Sequence, residues 1–335
     1  MSNSGSSGSA LLPKNCDVVV VGSGPAGLAT AIELKKQGVS DLLVLERFAE
    51  AGGNPRHCGH SPFGMSEFKR IYKGPGYVKK MLATAEKFGV RIALQATVVE
   101  IAAEGLLKIS TPQGVTRLQA KRVVLSAGIR EKPRAPRLVS GARPQGITTT
   151  GALQSIVYLG HKKPFERAVI IGSELVAFSA VASCRHAGIK PVCLIEEQQR
   201  ITAWPALQLY PRLLGTRVLT GTRMIDIEGK QQVTGVNVMD AAGNSRHISC
   251  DGVIFTGKFT PEASLARSGH LEIDPHSGGP VIDQYGRCSD PVYFATGNML
   301  RPVETAGWCW DEGVKTAGFV RQSLADQLPG IEVQQ

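Results

Sequence analysis

Three glycines and a carboxylate, Gly22, Gly24, Gly27 and Glu46, have the types and spacing to hold a dinucleotide. They stand in the run Val18-Val19-Val20-Val21-Gly22-Ser23-Gly24-Pro25-Ala26-Gly27. Gly22 would make the tight turn after a strand, and Gly24 would let backbone approach a pyrophosphate. Gly27 would let the following helix pack closely on that strand. The helix N-terminus then turns its positive end to the phosphates. Glu46 lies about 20 residues on, where an acidic side chain accepts from ribose hydroxyls and repels a 2′-phosphate.

The same fingerprint recurs at one constant offset. Gly22, Gly38 and Glu46 become Gly172, Gly188 and Glu196, while Gly24 becomes Glu174 and Gly27 becomes Ala177. A carboxylate about 4 Å from a phosphate charge costs roughly 4 kcal/mol at an effective dielectric near 20. That is about three decades of affinity. Either the second copy binds NAD(H) with Glu174 swung aside, or it keeps the fold and loses or narrows its ligand. The second outcome is the expectation, with a mononucleotide as the narrowed case.

Two further groups carry reactive side chains. His57-Cys58-Gly59-His60 offers three soft or borderline ligands within four residues. They cannot converge on one ion without strain and no fourth partner is suitably spaced, so no metal is expected. Cys58 or His60 could instead move protons at a catalytic face, or simply pack. Trp308-Cys309-Trp310 could wall a substrate or electron-transfer path, or pack in a helix. The seven cysteines contain no C-x-x-C pair, which excludes a zinc ribbon, a redox dithiol and a cluster-binding run. A reduced, cytoplasmic protein is the expectation.

These residues need a frame to position them, and the chain supplies one. Val18 to Val21 is a β-branched run without alternation, as in a strand buried on both faces of a parallel sheet. Leu28 to Gln37 has helical spacing, Gly38 stops it, and Asp41 to Leu45 is the next strand. A helix is expected over 75–88, and strands over 91–100, 106–110 and 121–125. An Arg- and Pro-rich crossover linker covers 130–146. A second βαβ unit spans 168–196, short strands fill 217–257, and another covers 292–295. A helix over about 304–325 ends the fold.

The expected class is α/β, with two Rossmann-like dinucleotide-binding domains, the second inserted into the first. Residues 1–13 read as a disordered tail, not a secretion signal. The first domain is expected over 14–140 and 259–335, and the second over 141–258. At 335 residues both can bury a core, and no apolar run spans a membrane. The net charge of +10 gathers in 56–80 and 130–143 without interleaved aromatics. That pattern argues against nucleic acid and for an acidic partner, an anionic substrate or a solvated face.

The chain resembles the two-dinucleotide-domain flavoproteins of the pyridine nucleotide–disulfide oxidoreductase group, in the short form without a C-terminal dimerisation domain. Its motifs are Gly22 to Gly27, Gly52 to His60, Ser126 to Arg134, Gly146 to Gln154 and Gly297-Asn298. It is most similar to the non-thiol FAD subunits of hydrogen cyanide synthase, opine oxidase and proline or hydroxyproline dehydrogenases. A related branch accompanies glycerol-3-phosphate dehydrogenases.

The resemblance implies FAD held by Gly22, Ser23, Gly24, Pro25, Ala26, Gly27, Glu46, Arg47, Gly53, Asn54, Val98, Ala127, Gly128, Gly297, Asn298, Thr305 and Ala306. Relatives usually have Gly-Asp where this chain has Gly297-Asn298; asparagine keeps the hydrogen bonding without the charge. The helix opening near Glu304-Thr305-Ala306-Gly307 would aim its N-terminus at the flavin and favour negative charge there on reduction. The implied activity is that of an FAD-dependent dehydrogenase subunit. Its small-molecule substrate would be an amino or imino acid, an opine or a glycerol-phosphate-like compound. A partner dehydrogenase or iron–sulfur subunit would take the electrons. The alternative is a free-standing NADH-dependent flavoprotein reductase without a redox disulfide.

Overall fold

The computed structural model describes residues 12–203, 213–302 and 305–330. Most of the expected tail and Glu304 lie outside these residues. The chain forms two compact units: Met1–Gly53, Lys79–Gly128 and Pro261–Gln335 make the first, Asn54–Val78 and Ile129–Thr260 the second.

The two units repeat one topology. In the first, five parallel strands run in the order Arg91–Ala93, Leu42–Leu45, Asn15–Val21, Gly114–Leu125, Tyr293–Ala295. In the second, the order is Arg217–Leu219, Lys190–Ile195, Arg167–Ile171, Gly252–Phe255, Ile147–Thr149. Each unit adds an antiparallel meander. Thr97–Ala102 and Leu106–Thr111 extend Gly114–Leu125 in the first. The second closes Thr222–Glu228, Gly235–Asp240 and Ser245–Ser249 into its own sheet.

Burial on both faces explains the apolar central strands. Val18, Val19 and Val20 are fully buried, as are Val169 and Ile170. Register is in step across the copies, with Val21 opposite Leu45 and Leu125, and Ile171 opposite Ile195 and Phe255. Each glycine turn therefore sits at the carboxyl ends of its parallel strands, where ligands bind in doubly wound sheets. The helices Pro25–Lys36 and Leu175–His186 follow. They stop at Gly38 and Gly188, whose φ values of 87° and 69° suit the left-handed turn after a helix.

The structure departs from expectation in three places. The strand over 91–100 breaks at 94–96, where Gln95 takes a φ of 53°. The linker over 130–146 carries short strands at Ile129–Glu131 and Ser140–Gly141. Its basic residues are also not merely a solvated face. The Arg134 guanidinium donates to the carbonyls of Val139, Ser140, Gly141 and Ala142, so it gathers the loop from within. Among the described residues no helix is long and apolar enough to cross a membrane.

Candidate functional site

The first glycine turn leaves open the space a phosphate group needs. Gly22 has a φ of 106°, which disfavours any side chain. A Cβ on Gly27 would overlap the Gly22 carbonyl oxygen, so only glycine lets this helix pack so tightly. At Gly24 a Cβ would meet nothing nearer than the Gly53 Cα at 3.9 Å. Gly24 caps the helix with no side-chain hydrogen bond, Pro25 opens it, and its first turn holds no acid. No acidic side chain within the helix's own first turn offsets its positive end.

Glu46 is buried and held in place. Its Oε2 accepts from the Ser23 amide at 3.1 Å and from the Ser23 hydroxyl, and its Oε1 accepts from the Phe48 amide at 2.9 Å. Oε2 thus takes both of its hydrogen bonds from Ser23, while Oε1 keeps a further lone pair for a ribose hydroxyl. Arg47 stacks over Phe48 and reaches Glu262 at 3.9 Å. Ser126 closes the turn from the neighbouring strand by donating to the Val21 and Gly22 carbonyls. The residues after it, Ala127 and Gly128, lead to a backbone hydrogen bond from Glu262 to the Gly128 carbonyl.

Gly297 joins this group through close packing. A Cβ on it would come within 2.6 Å of the Ala26 Cβ, and its amide donates to Glu312 at 2.7 Å. Asn298 follows in the same turn. Thr305 caps the helix Ala306–Leu324 by accepting from the Trp308 amide. Gly313 of that helix packs against the Ala26 backbone, and the Thr30 hydroxyl donates to the Gly313 carbonyl at 3.0 Å. Val98 is buried in the core, where its side chain packs among aliphatic neighbours. The structure thus gathers Gly22 to Gly27, Glu46, Arg47, Gly53, Ala127, Gly128, Gly297, Asn298, Thr305 and Ala306 in the first unit.

The second glycine turn has the same backbone and a different content. Glu174 caps its helix at φ −73° and ψ 171°, against −73° and −176° for Gly24. Gly172 keeps a φ of 125°, and the Ser173 hydroxyl again donates to the buried acid, here Glu196. The Glu174 carboxylate folds back into the turn. It fills the places a Cβ would take on Gly172 and Gly257, and accepts from the Thr256 hydroxyl at 2.8 Å. Arg137 lies nearby, with one guanidinium N–H given to the Gly257 carbonyl at 2.7 Å.

Thr256, Gly257 and Arg137 were not legible as site residues from the fingerprint alone. The repeat held the signal for Thr256. It follows the strand paired with Arg167–Ile171, as Ser126 follows the strand paired with Asn15–Val21.

Asn54, Cys58 and His60 belong to the second unit. Asn54 opens the 3₁₀ turn Asn54–His57, and its carbonyl lies 3.4 Å from the Cys58 thiol. Burial, and then the charge of Glu131, pushes that thiol up to about 12. Cys58 is therefore a protonated group and a poor nucleophile. Iodoacetamide at pH 8 should leave Cys58 unmodified in the native protein and label it after unfolding, as intact mass would show. Rapid native labelling would contradict this environment.

His60 stacks on Phe63 at 5.2 Å, and burial lowers its pKa. Burial, aided by Arg56, lowers His57 to about 4. The unfolded chain takes up these protons first. Stability should therefore fall as pH drops from about 6.5 towards 4, by up to about 1.4 kcal/mol per pH unit for each proton. His57→Gln should flatten part of that loss in urea midpoints compared between pH 7 and pH 5; an unchanged slope would refute the assignment. Among the described residues no three His, Cys, Asp or Glu side chains are grouped to hold a metal.

Cys309 and Trp310 are buried in the last helix, so packing accounts for both, whereas Trp308 is 65% exposed. It cannot be a core residue.

Comparison with known proteins agrees with this architecture. The pyridine nucleotide-disulphide oxidoreductase family matches residues 16–313. An opine oxidase subunit of Rhizobium meliloti is 26% identical over 84% of this chain and 58% of its own length. The chain thus spans less than two thirds of that relative. Among solved structures, T. acidophilum thioredoxin reductase superposes with a TM-score of 0.77 at 22% identity, covering 94% of this chain and 99% of its own. L-proline dehydrogenase from P. horikoshii gives 0.67 at 17% identity, covering 93% and 56%. At such identities these structural likenesses speak for fold alone. The chain belongs to the pyridine nucleotide-disulphide oxidoreductase family.

Proposed function

We propose that the chain is the FAD-carrying subunit of a multi-subunit cytoplasmic dehydrogenase that oxidises a small amino or imino acid, an opine or a glycerol-phosphate-like compound. One observation carries this reading: a carboxylate, Glu174, stands in the second glycine turn beside Gly172, Gly257 and the Thr256 hydroxyl, and its charge opposes a pyrophosphate there. With that entry closed, electrons reach the flavin from a substrate and leave through a partner subunit. Similarity to the opine oxidase polypeptide supports the choice of branch.

The first glycine turn fits FAD. The open space above Gly24, the uncapped helix end and the fixed Glu46 carboxylate would hold its pyrophosphate and ribose. Bound there, FAD supplies reversible two-electron transfer. The chain's own residues bind and orient. Glu46 excludes a 2′-phosphate by charge, Gly27 sets the distance from helix to strand, and the capped helix Ala306–Leu324 brings a second positive end to the same unit.

No two of the seven cysteines are closer than nine residues in the sequence, so the chain lacks the closely spaced thiol pair of an internal dithiol. The reading is tested by isolating the yellow chain from its native cells under mild conditions. Co-migration with a second polypeptide, and flavin reduction by an amine or hydroxy substrate only in that complex, is the expected result. A homogeneous yellow chain that turns over NADH alone would overturn it.

A further inference from the structure

The second unit also holds a group of buried polar atoms whose hydrogen bonding does not close. Glu131 ends the short strand Ile129–Glu131, and its Oε2 accepts from the Gly151 amide at 2.7 Å. Its Oε1 is buried with no hydrogen-bond partner. Thr150 is fully buried, and its hydroxyl has none either. That hydroxyl lies beside the Glu131 carboxylate and eases its burial, yet stops short of hydrogen-bond geometry. Gln154, one turn along the same helix, donates its amide nitrogen to the Ser179 hydroxyl at 3.2 Å. That bond fixes the amide so that Oε1 faces the Cys58 sulfur at 3.7 Å. A thiol is a weak donor, and Cys58 also lies against the Asn54 carbonyl.

The Thr149 and Thr150 hydroxyls beside Glu131 can each supply one neutral donor, and the rest of the group is acceptors. Glu131 Oε1 and Gln154 Oε1 both lack a strong donor, and buried acceptors are rarely left so in native proteins. The cation whose field reaches Glu131 is Arg137, but it gives N–H bonds to the Lys132 and Gly257 carbonyls. The helix that carries Thr150 and Gln154 also widens into a π turn over Ser155–Leu159. There the loop residue Gly59 lies so close to the Tyr158 ring that a Cβ would overlap it. Such widened turns are frequent at functional sites.

We infer that Glu131, Thr150 and Gln154 form a binding site for a small ammonium group, a primary or secondary amine with at least two N–H donors. The ammonium meets Glu131 Oε1 and Gln154 Oε1 and brings the positive charge that a buried carboxylate lacks. A purely anionic ligand would add acceptors where they are already in surplus. A water molecule would supply donors without charge. Binding stands on these atoms alone; that the bound amine is the compound oxidised rests on the dehydrogenase reading above.

Calorimetric titration of the flavin-loaded chain with dimethylammonium chloride tests the site, with tetramethylammonium at equal ionic strength as the cation lacking N–H. Saturable binding of dimethylammonium alone is expected. Glu131→Gln should weaken it at least tenfold, and Gln154→Glu should tighten it severalfold by adding a second carboxylate. If Glu131→Gln does not fold, Gln154→Leu carries the test and should also weaken binding. Equal affinity for both cations, no saturable binding, or an unchanged affinity in a folded Glu131→Gln would overturn the site. Those outcomes leave the dehydrogenase reading intact, whereas turnover of NADH by the isolated chain would sink that reading and leave the titration unaffected.

Discussion

Glu174→Gly should raise the affinity for NADH by about a thousandfold. The electrostatic part follows from removing a carboxylate about 4 Å from a phosphate, roughly 4 kcal/mol at an effective dielectric near 20. A steric part adds to it, because the same side chain occupies the turn between Gly172 and Gly257. The backbone needs no rearrangement, since Glu174 and Gly24 share nearly the same dihedral angles. Glu196 is already held for a ribose by Ser173 and by the Gln198 amide at 2.8 Å. Fluorescence titration with NADH would show the gain. An affinity equal to wild type, in a variant with an unaltered circular dichroism spectrum, would mean that Glu174 is not what closes the site.

The reciprocal exchange has the second large effect. Gly24→Glu, which transfers the second copy's residue into the first, should yield a folded but colourless protein. Space for the new Cβ exists, with the nearest atom 3.9 Å away, so the fold should tolerate the change. FAD affinity should drop by about three decades or more from charge alone. Gly27→Ala is a poor substitute for this test. Its Cβ would overlap the Gly22 carbonyl oxygen, so loss of flavin would be confounded with loss of packing. Retention of a full complement of FAD by Gly24→Glu would contradict the placement of the pyrophosphate.

The two glycine turns were legible because their chemistry is local. A strand, a turn that needs positive φ, a helix and an acid about 20 residues on leave a mark at fixed spacing. Gly22 and Gly172, with φ of 106° and 125°, show why that mark survives in both copies. What the fingerprint could not show is where the Glu174 side chain goes. Its partners, Thr256 and Gly257, arrive from a strand about 80 residues later and are brought in by parallel pairing of Gly252–Phe255 with Arg167–Ile171.

Arg134 and Arg137 escape a sequence reading for a similar reason. Composition counts their charge, but only tertiary structure reveals that backbone carbonyls consume their N–H groups. The unmet acceptor of Glu131 is invisible to any sequence pattern, since an orphaned atom is defined by what surrounds it. Cys58 shows the limit from the other side. Its type suggests reactivity, and burial beside Glu131 leaves it protonated.

The asymmetry between the two copies separates a substrate-fed flavoprotein from an NADH-fed one, and anaerobic rapid mixing of the flavin-loaded chain with excess NADH tests it most directly. The visible flavin band should persist in wild type and bleach quickly in Glu174→Gly. Rapid bleaching of the wild-type flavin by NADH would contradict the account, because it would show that the second glycine turn still admits a dinucleotide with Glu174 in place.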